Sequence, residues 1–393
     1  MGYEHLKNKH AIVGVGYTPQ GKVSGRTAVS FHTEACLNAA KDAGISKEEI
    51  DGLLLYRHFN ALGGDYDVTA FTVAEQLGIR PFTLSQEYYC TRSSIMHAIG
   101  LLECGFCKYV AISYGDNARS NHRNFIKELD NGKATDELAA YGDISTMAKY
   151  TMVAQRAKHQ FNTGSHVWKE IAIAQREWAL HNPTAGMYGK PLDDAMYDGS
   201  EYIIDPFRMF DAAPTSDGGR AIILTTADRA KSLLNPPVYI TGIGAANQPI
   251  SPYRLRVDDD YSAAAVASRM AFNMAGMNIR NIDACQLYDC FTYTVEATLS
   301  DYGFFPANKS SDWLTRERIG PRGDLPVNTS GGMLSEAYFM GLTPISEAVM
   351  QLMGRCGERQ LGTLKGTKQP EVMICSDNGG VFQSHCSLIL TRK

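Results

Sequence analysis

The chain repeats itself over a long interval, and that repeat limits its fold more than any other feature. HAIVGVGYTPQ (10–20) and VYITGIGAANQ (238–248) are both β-rich runs carrying G-x-G. Downstream, DAGISKEEIDGLLLY (42–56) matches MAGMNIRNIDACQLY (274–288) without a gap. Ala43/Ala275, Gly44/Gly276, Ile50/Ile282, Asp51/Asp283, Leu55/Leu287 and Tyr56/Tyr288 coincide. The offset is 232 residues through this block and 228 between Gly14 and Gly242, so one short insertion separates the two matches. Each block reads as a helix, a glycine turn and a buried strand. The period is far longer than that of a solenoid repeat and points to a duplicated domain. Coincidence would not give an ungapped match in the same order after a G-x-G strand.

Strand and helix patterns alternate within each half. KYVAISYGD (108–116) and RAIILTTAD (220–228) are apolar strands of the first half, and EVMICSDNGG (371–380) and SHCSLILTR (384–392) of the second. Apolar strands alternating with helices predict an α/β fold with both sheet faces covered. Residues 1–116 and 211–235 then form one half and 236–393 the other. Inserted within the first half, 117–210 is polar, partly helical and punctuated by Pro, Gly and Tyr. Long connections of this kind usually serve function, so this one is expected to cover a site. Its Trp168, Trp178, Met187 and Tyr188 are apolar enough to line an acyl pocket.

The composition excludes several classes. A net charge of −4 leaves no basic footprint for nucleic acid and no reason to expect a membrane surface. No run approaches the length of a membrane span, and the N-terminus lacks the apolar core of a signal peptide. Nine cysteines without framework spacing fit a reducing cytoplasm. No metal set is expected: Cys104-Gly105-Phe106-Cys107 lacks a second pair for zinc, and Asp258, Asp259 and Asp260 precede a helix, where negative charge suits the dipole. GVG (14–16) lacks the third glycine of a dinucleotide fingerprint. His385 reads as a satisfied strand histidine.

One cysteine stands apart. In EYYCTRSSIMHAIGLLECG (87–105), Cys90 directly precedes a helical run. Amides at a helix N-terminus stabilise a thiolate, and Arg92 adds a positive charge nearby. Taken locally, the segment favours a buried structural thiol.

Several phrases together carry a resemblance: AAKDAGISKEEIDGLLLY, the Cys90 segment, NPTAGMYGKPL (182–192), DPFRMFDAAPTSDGGRAIIL (205–224), LYDCFT (287–292), LPVNTSGG (325–332) and the final DNGG. The chain resembles the thiolase superfamily over nearly its whole length, in particular the sterol-carrier-protein-x and lipid-transfer-protein-like branch. The resemblance implies a thiolase fold, two similar βαβαβαββ halves in a five-layered αβαβα structure. It makes Cys90 the nucleophile. Where the branch has His-Asp-Cys-Phe, this chain has Tyr288-Asp289-Cys290-Phe291. Where the superfamily has Gly-His-Pro, this chain has Ala337-Tyr338-Phe339. Two active-site positions are therefore both tyrosine, and a phenol can donate a hydrogen bond to a developing oxyanion.

The implied reaction is thiolytic cleavage of a β-ketoacyl-CoA. Cys90 attacks the keto carbon, the N–H groups of Cys90 and Gly380 hold that oxyanion, Tyr288 and Tyr338 hold the enolate, and free CoA takes the acyl group from Cys90. Cys375 is either an acid/base or a strand residue. Arg92, Asn328, Met187 and Tyr188 are assigned to substrate binding. The resemblance extends to the thiolase subunits of anaerobic toluene degradation, which implies 2-benzoylsuccinyl-CoA giving benzoyl-CoA and succinyl-CoA. It also implies a homodimer core, a small zinc-ribbon/OB-fold partner subunit, acyl-CoA and CoA as substrates, and no tightly bound cofactor. Two other readings stay open. A similar tyrosine pair occurs in lipid-transfer-protein aldolases, which makes the chain a retro-aldolase of β-hydroxyacyl-CoA with Cys90 a bystander. The third reading is a non-catalytic acyl-CoA-binding subunit.

Overall fold

The structure, a computed structural model, describes residues 2–56, 68–87, 91–121, 145–248 and 262–392, with the side chains of 87 and 91–93 outside that description. The first half runs β1 (His10–Tyr17), α1 (Ala28–Ala43), β2 (Gly52–Tyr56), α2 (Ala70–Leu77), β3 (Thr83–Glu87), α3 (Thr91–Glu103) and β4 (Val110–Asn117). Then come α4 (Thr146–Phe161), α5 (Ser165–Leu180), α6 (Asp194–Asp198) and a small hairpin, β5 (Tyr202–Ile204) with β6 (Phe207–Arg208). The chain returns through β7 (Asp217–Thr226) and α7 (Ala227–Ala230). The second half holds β8 (Val238–Asn247), α8 (Ala263–Ala275), β9 (Ala284–Gln286), α9 (Thr292–Asp301), α10 (Ser310–Trp313), α11 (Arg316–Ile319), α12 (Gly332–Ser335), α13 (Leu342–Met353), β10 (Val372–Gly379) and β11 (Ser384–Thr391).

Nine of the described strands form one ladder in the order β3-β2-β4-β7-β1-β8-β11-β10-β9. The order reads outward from its middle as the same motif twice. β1-β7-β4-β2-β3 on one side answers β8-β11-β10-β9 on the other, and the second counterpart of β3 is reduced to a parallel bridge between Cys285 and Val327. The halves join where β1 meets β8, at Ala11–Tyr239 and Ile12–Val238 only. β2 is parallel to β3 and β4, and β9 to β10; the remaining pairs in this sheet are antiparallel.

Alternation along the strands sorts side chains into layers. Ala11 and Val13 face the outer core under α1, whereas Ile12 and Val15 face a central core. In β10, Met373 and Cys375 face that same central core and Ile374 faces the opposite outer one. α3 and α13 fill the centre and touch strands of both halves, while α1 and α8 cover the outside. The result is the expected five layers.

The repeated G-x-G has a packing explanation. A Cβ on Gly14 would lie 2.3 Å from the Ala39 carbonyl oxygen, and one on Gly16 1.9 Å from that of Ala35. In the second half, a Cβ on Gly242 would lie 2.2 Å from the Ala271 oxygen and one on Gly244 1.9 Å from that of Ala267. The glycines let α1 and α8 ride directly on β1 and β8. Gly16→Ala must push α1 off its strand, and overpacking of this kind costs about 1–3 kcal/mol or more. The expected result is a lower denaturation midpoint; an unchanged midpoint would refute this packing role.

The insertion between β4 and β7 packs on the second half, with α5 against α9, α11 and α12. Trp168 and Trp178 depart from the sequence expectation. Both are fully buried, and their indole N–H groups donate to Glu296 Oε2 at 2.7 Å and to the Ile319 carbonyl at 3.0 Å. A buried indole needs an acceptor, and the core supplies both, so these residues anchor the connection instead of lining a pocket. Cys90, Asp258, Asp259 and Asp260 lie outside the described residues.

Candidate active site

The two tyrosines come from separate segments, each pinned through its backbone. Asn328 Oδ1 accepts the Leu287 N–H at 2.6 Å, and Ser376 Oγ accepts the Tyr288 N–H at 2.9 Å. Asp289 caps the short α12, its carboxylate accepting the N–H groups of Met333 at 2.9 Å and Leu334 at 3.2 Å. Burial raises its pKa to about 7 against the pull of those two donors. Gly332 is required here, because a Cβ on it would lie 2.2 Å from Asp289 Oδ2.

Tyr338 sits on the turn after α12. Its N–H donates to Ser216 Oγ at 3.3 Å, and Thr343 Oγ1 bridges the Phe339 N–H and the Ala337 carbonyl, both at 3.0 Å. Glu336 begins the turn and forms a buried ion pair with Arg220 of β7. Arg220 also donates to Ser346 Oγ at 2.6 Å and lies 4.4 Å over the Tyr17 ring. The turn that carries Tyr338 is thus held by both halves of the molecule.

The two hydroxyls meet at 2.8 Å. Either phenol can donate to the other, and the Tyr338 hydroxyl also lies 3.0 Å from Met340 Sδ. Thioether sulfur is a weak acceptor and is easily replaced by a substrate oxygen. Tyr288 is buried and Tyr338 only half-buried. Burial pushes both pKa values well up, so the pair stands as neutral donors.

A third phenol reaches the same place. Tyr150 of α4 donates to Asn378 Oδ1 at 3.3 Å and packs on Phe291 and Phe382 at ring separations of 4.9 and 5.3 Å. The half-buried Cys290 thiol interacts with Tyr150, Tyr288 and Thr294, and burial raises its pKa. The adjoining turn is strained: Gly380, Val381 and Phe382 have φ of 59°, 55° and 66°. A β-branched residue in this left-handed region is rare, and such strain clusters at functional sites.

Other sequence-assigned residues fall variously. α3 begins at Thr91, so Cys90 directly precedes its first turn. Arg92 lies in that turn, its side chain outside the description. Asn328 is buried, with φ 53°; its Oδ1 latches the Leu287 backbone, and its Nδ2 has no hydrogen-bond partner among the described residues. Cys375 lies in β10, fully buried in the central core, and burial raises its pKa. The neighbouring Ser376 is the one that meets Tyr288. His385 is buried against the Tyr302 hydroxyl at 2.8 Å, its pKa lowered to about 3 by burial. Met187 donates its N–H to the Ser335 carbonyl at 3.1 Å, and Tyr188 is exposed. Sequence reasoning missed Tyr150; Cys290 had a signal inside LYDCFT, Asn378 one inside the final DNGG, and Ser376 is the position on which the family's second catalytic cysteine aligns. No cluster of three or more metal-ligating side chains occurs among the described residues.

The family described as "Thiolase C-terminal domain-like" matches residues 254–392. Over 89% of its length the chain is 30% identical to a 17-hydroxy-3-oxo-4-pregnene-20-carboxyl-CoA lyase of Mycobacterium tuberculosis, covering 92% of that protein. Over 89% it is 27% identical to an acetyl-CoA acetyltransferase of Methanothermobacter thermautotrophicus, covering 92% of it. Among solved structures, the "Ltp2-ChsH2(DUF35) aldolase" superposes with a TM-score of 0.85 at 26% identity over 98% of both chains.

Proposed function

The chain belongs to the thiolase superfamily, in its SCP2-thiolase-like group, and from that premise we propose that it is a retro-aldolase splitting a β-hydroxyacyl-CoA into a carbonyl compound and a shorter acyl-CoA. The observation that carries this reading is the pair of neutral phenols with hydroxyls 2.8 Å apart. The lyase and aldolase relatives support it. The relatives are not benzoylsuccinyl-CoA thiolases, and the narrower expectation of that substrate gives way.

The chemistry needs one proton moved and one bond broken. The β-hydroxyl proton leaves as the Cα–Cβ electrons move onto the thioester, and Cα must then gain a proton. One phenol takes the hydroxyl proton while its partner gives one to Cα, the difference crossing the hydrogen bond between them. Both phenols end as they began, and no tyrosinate has to exist at a buried site where it would be costly. No free CoA is consumed.

Thiolytic cleavage is the second reading. It is favoured by the position of Cys90 immediately before α3, where helix amides would stabilise a thiolate. A single experiment separates the two. The purified protein is given a CoA ester with a tertiary β-hydroxyl and no free CoA, and in parallel a β-ketoacyl-CoA with CoA. The aldolase reading expects cleavage in the first reaction, retained by Cys90→Ser. Cleavage confined to the second reaction and lost in Cys90→Ser would make it a thiolase, because serine without a paired base is a poor nucleophile.

The assembly follows the same reading. A small zinc-ribbon/OB-fold partner subunit is supported by the Ltp2-ChsH2(DUF35) aldolase, in which the neighbour is joined to a DUF35 protein. A homodimer through the first half is supported by β3, which ends the sheet beside exposed Phe82 and Phe106 stacked at 5.5 Å. No helix among the described residues is long and apolar enough to cross a membrane, and the eight described cysteines are free thiols, which agrees with a cytoplasmic setting.

A further inference from the structure

We propose that Asn378 and Tyr150 form a second oxygen-binding subsite that takes the thioester carbonyl oxygen of the acyl-CoA. The proposal deepens the reading above and rests on it only so far as an acyl-CoA is bound, a requirement that aldol and thiolytic cleavage share.

Asn378 sits in β10, nearly fully buried, yet its side-chain nitrogen has no hydrogen-bond partner among the described residues. Its orientation is fixed. Oδ1 accepts the Phe382 N–H at 3.3 Å and the Tyr150 hydroxyl at 3.3 Å. A backbone N–H can only donate, so flipping the amide would set donor against donor. Nδ2 is therefore a committed buried donor left open. Such a group costs stability unless something satisfies it.

Its surroundings place it in the catalytic neighbourhood. Ser376, two residues earlier on the same face of β10, holds the Tyr288 backbone. Tyr150, which buttresses Asn378, shares the half-buried Cys290 thiol with Tyr288. The strained turn at Val381 and Phe382 aims the Phe382 N–H back at Asn378. C–C cleavage in an acyl-CoA creates charge change at two oxygens, one on the β-carbon and one on the thioester. The Tyr288–Tyr338 pair serves the first. The open amide N–H, oriented by Tyr150, serves the second, where a fixed donor is worth most as the enolate forms. The subsite takes its phenol from α4, which gives the insertion between β4 and β7 a direct part in the site.

The test reads carbonyl polarisation without turnover. Acetyl-CoA labelled with 13C at its carbonyl is bound at saturation, and the carbonyl resonance is compared with that of the free ester. Wild type is expected to shift it downfield. Asn378→Asp keeps both acceptor bonds on Oδ1 and replaces the amide donor with a carboxyl oxygen, and should at least halve the displacement. Tyr150→Phe keeps the ring packing and serves as the second variant where Asn378→Asp does not fold; it should reduce the displacement too. Wild-type displacement in both variants overturns the subsite, as does a wild-type enzyme that binds the ester without shifting it. Failure of the aldolase reading is a separate result, because the resonance reports on the bound ester whichever cleavage occurs. An enzyme that binds no acyl-CoA at all defeats both.

Discussion

Tyr338→Phe is expected to lower kcat for cleavage of a β-hydroxyacyl-CoA by about 10²–10⁴-fold, the usual contribution of a positioned general acid–base group. Tyr338 is the half-buried member of the pair, and its hydroxyl lies against the Met340 sulfur, a weak acceptor that substrate can displace. Tyr288→Phe should cost a similar factor, because the proton must cross both phenols. The double variant should then lose little more than either single one, since groups acting as a unit are strongly non-additive. Steady-state kinetics on the three variants check this. The pH profile adds a signature. Burial keeps both hydroxyls protonated well above the ordinary phenol pKa of about 10, so neither tyrosine should produce an alkaline limb below that pH. Full activity in Tyr338→Phe would sink the assignment of the site.

Arg220→Met is the substitution expected to cost most in stability, about 3–5 kcal/mol, since removing one member of a buried ion pair leaves the other charge uncompensated. Arg220 and Glu336 are both almost entirely buried, and between them they join β7 of the first half to the Tyr338 turn of the second. The cation also sits over Tyr17 at 4.4 Å and Phe339 at 5.3 Å, so Met was chosen to refill the stem volume. Chemical denaturation of the single variant should show the loss. Arg220→Met with Glu336→Met should recover much of it, because apolar replacement of both partners is often neutral. A single variant as stable as wild type would show that the pair does not join the halves energetically. The single variant should also lose activity in proportion to the displacement of Tyr338, and the double variant should regain stability without regaining all of that activity.

The duplication, the glycines that seat α1 and α8, the start of α3 just after Cys90 and the tyrosines at 288 and 338 were all readable in the chain alone. These are local signals. Burial on a strand has a period of two, and a helix needs a cap and a stripe. A close helix–strand approach leaves a glycine mark, and a duplicated layer repeats each of these at a fixed offset. What only the tertiary structure decided is which polar groups meet. Tyr150 reaches Asn378 across 228 positions, Arg220 finds Glu336 across 116, and Asn328 Oδ1 turns to the Leu287 backbone. The same lack of contact information put Trp168 and Trp178 in a pocket when the core needed them, and left Cys375 undecided between chemistry and packing. Hydrophobic patterning follows from the periodicity of each element, so it is written along the sequence. Polar pairing in a buried site depends on register and on the angle at which elements cross, and neither leaves a period in the chain.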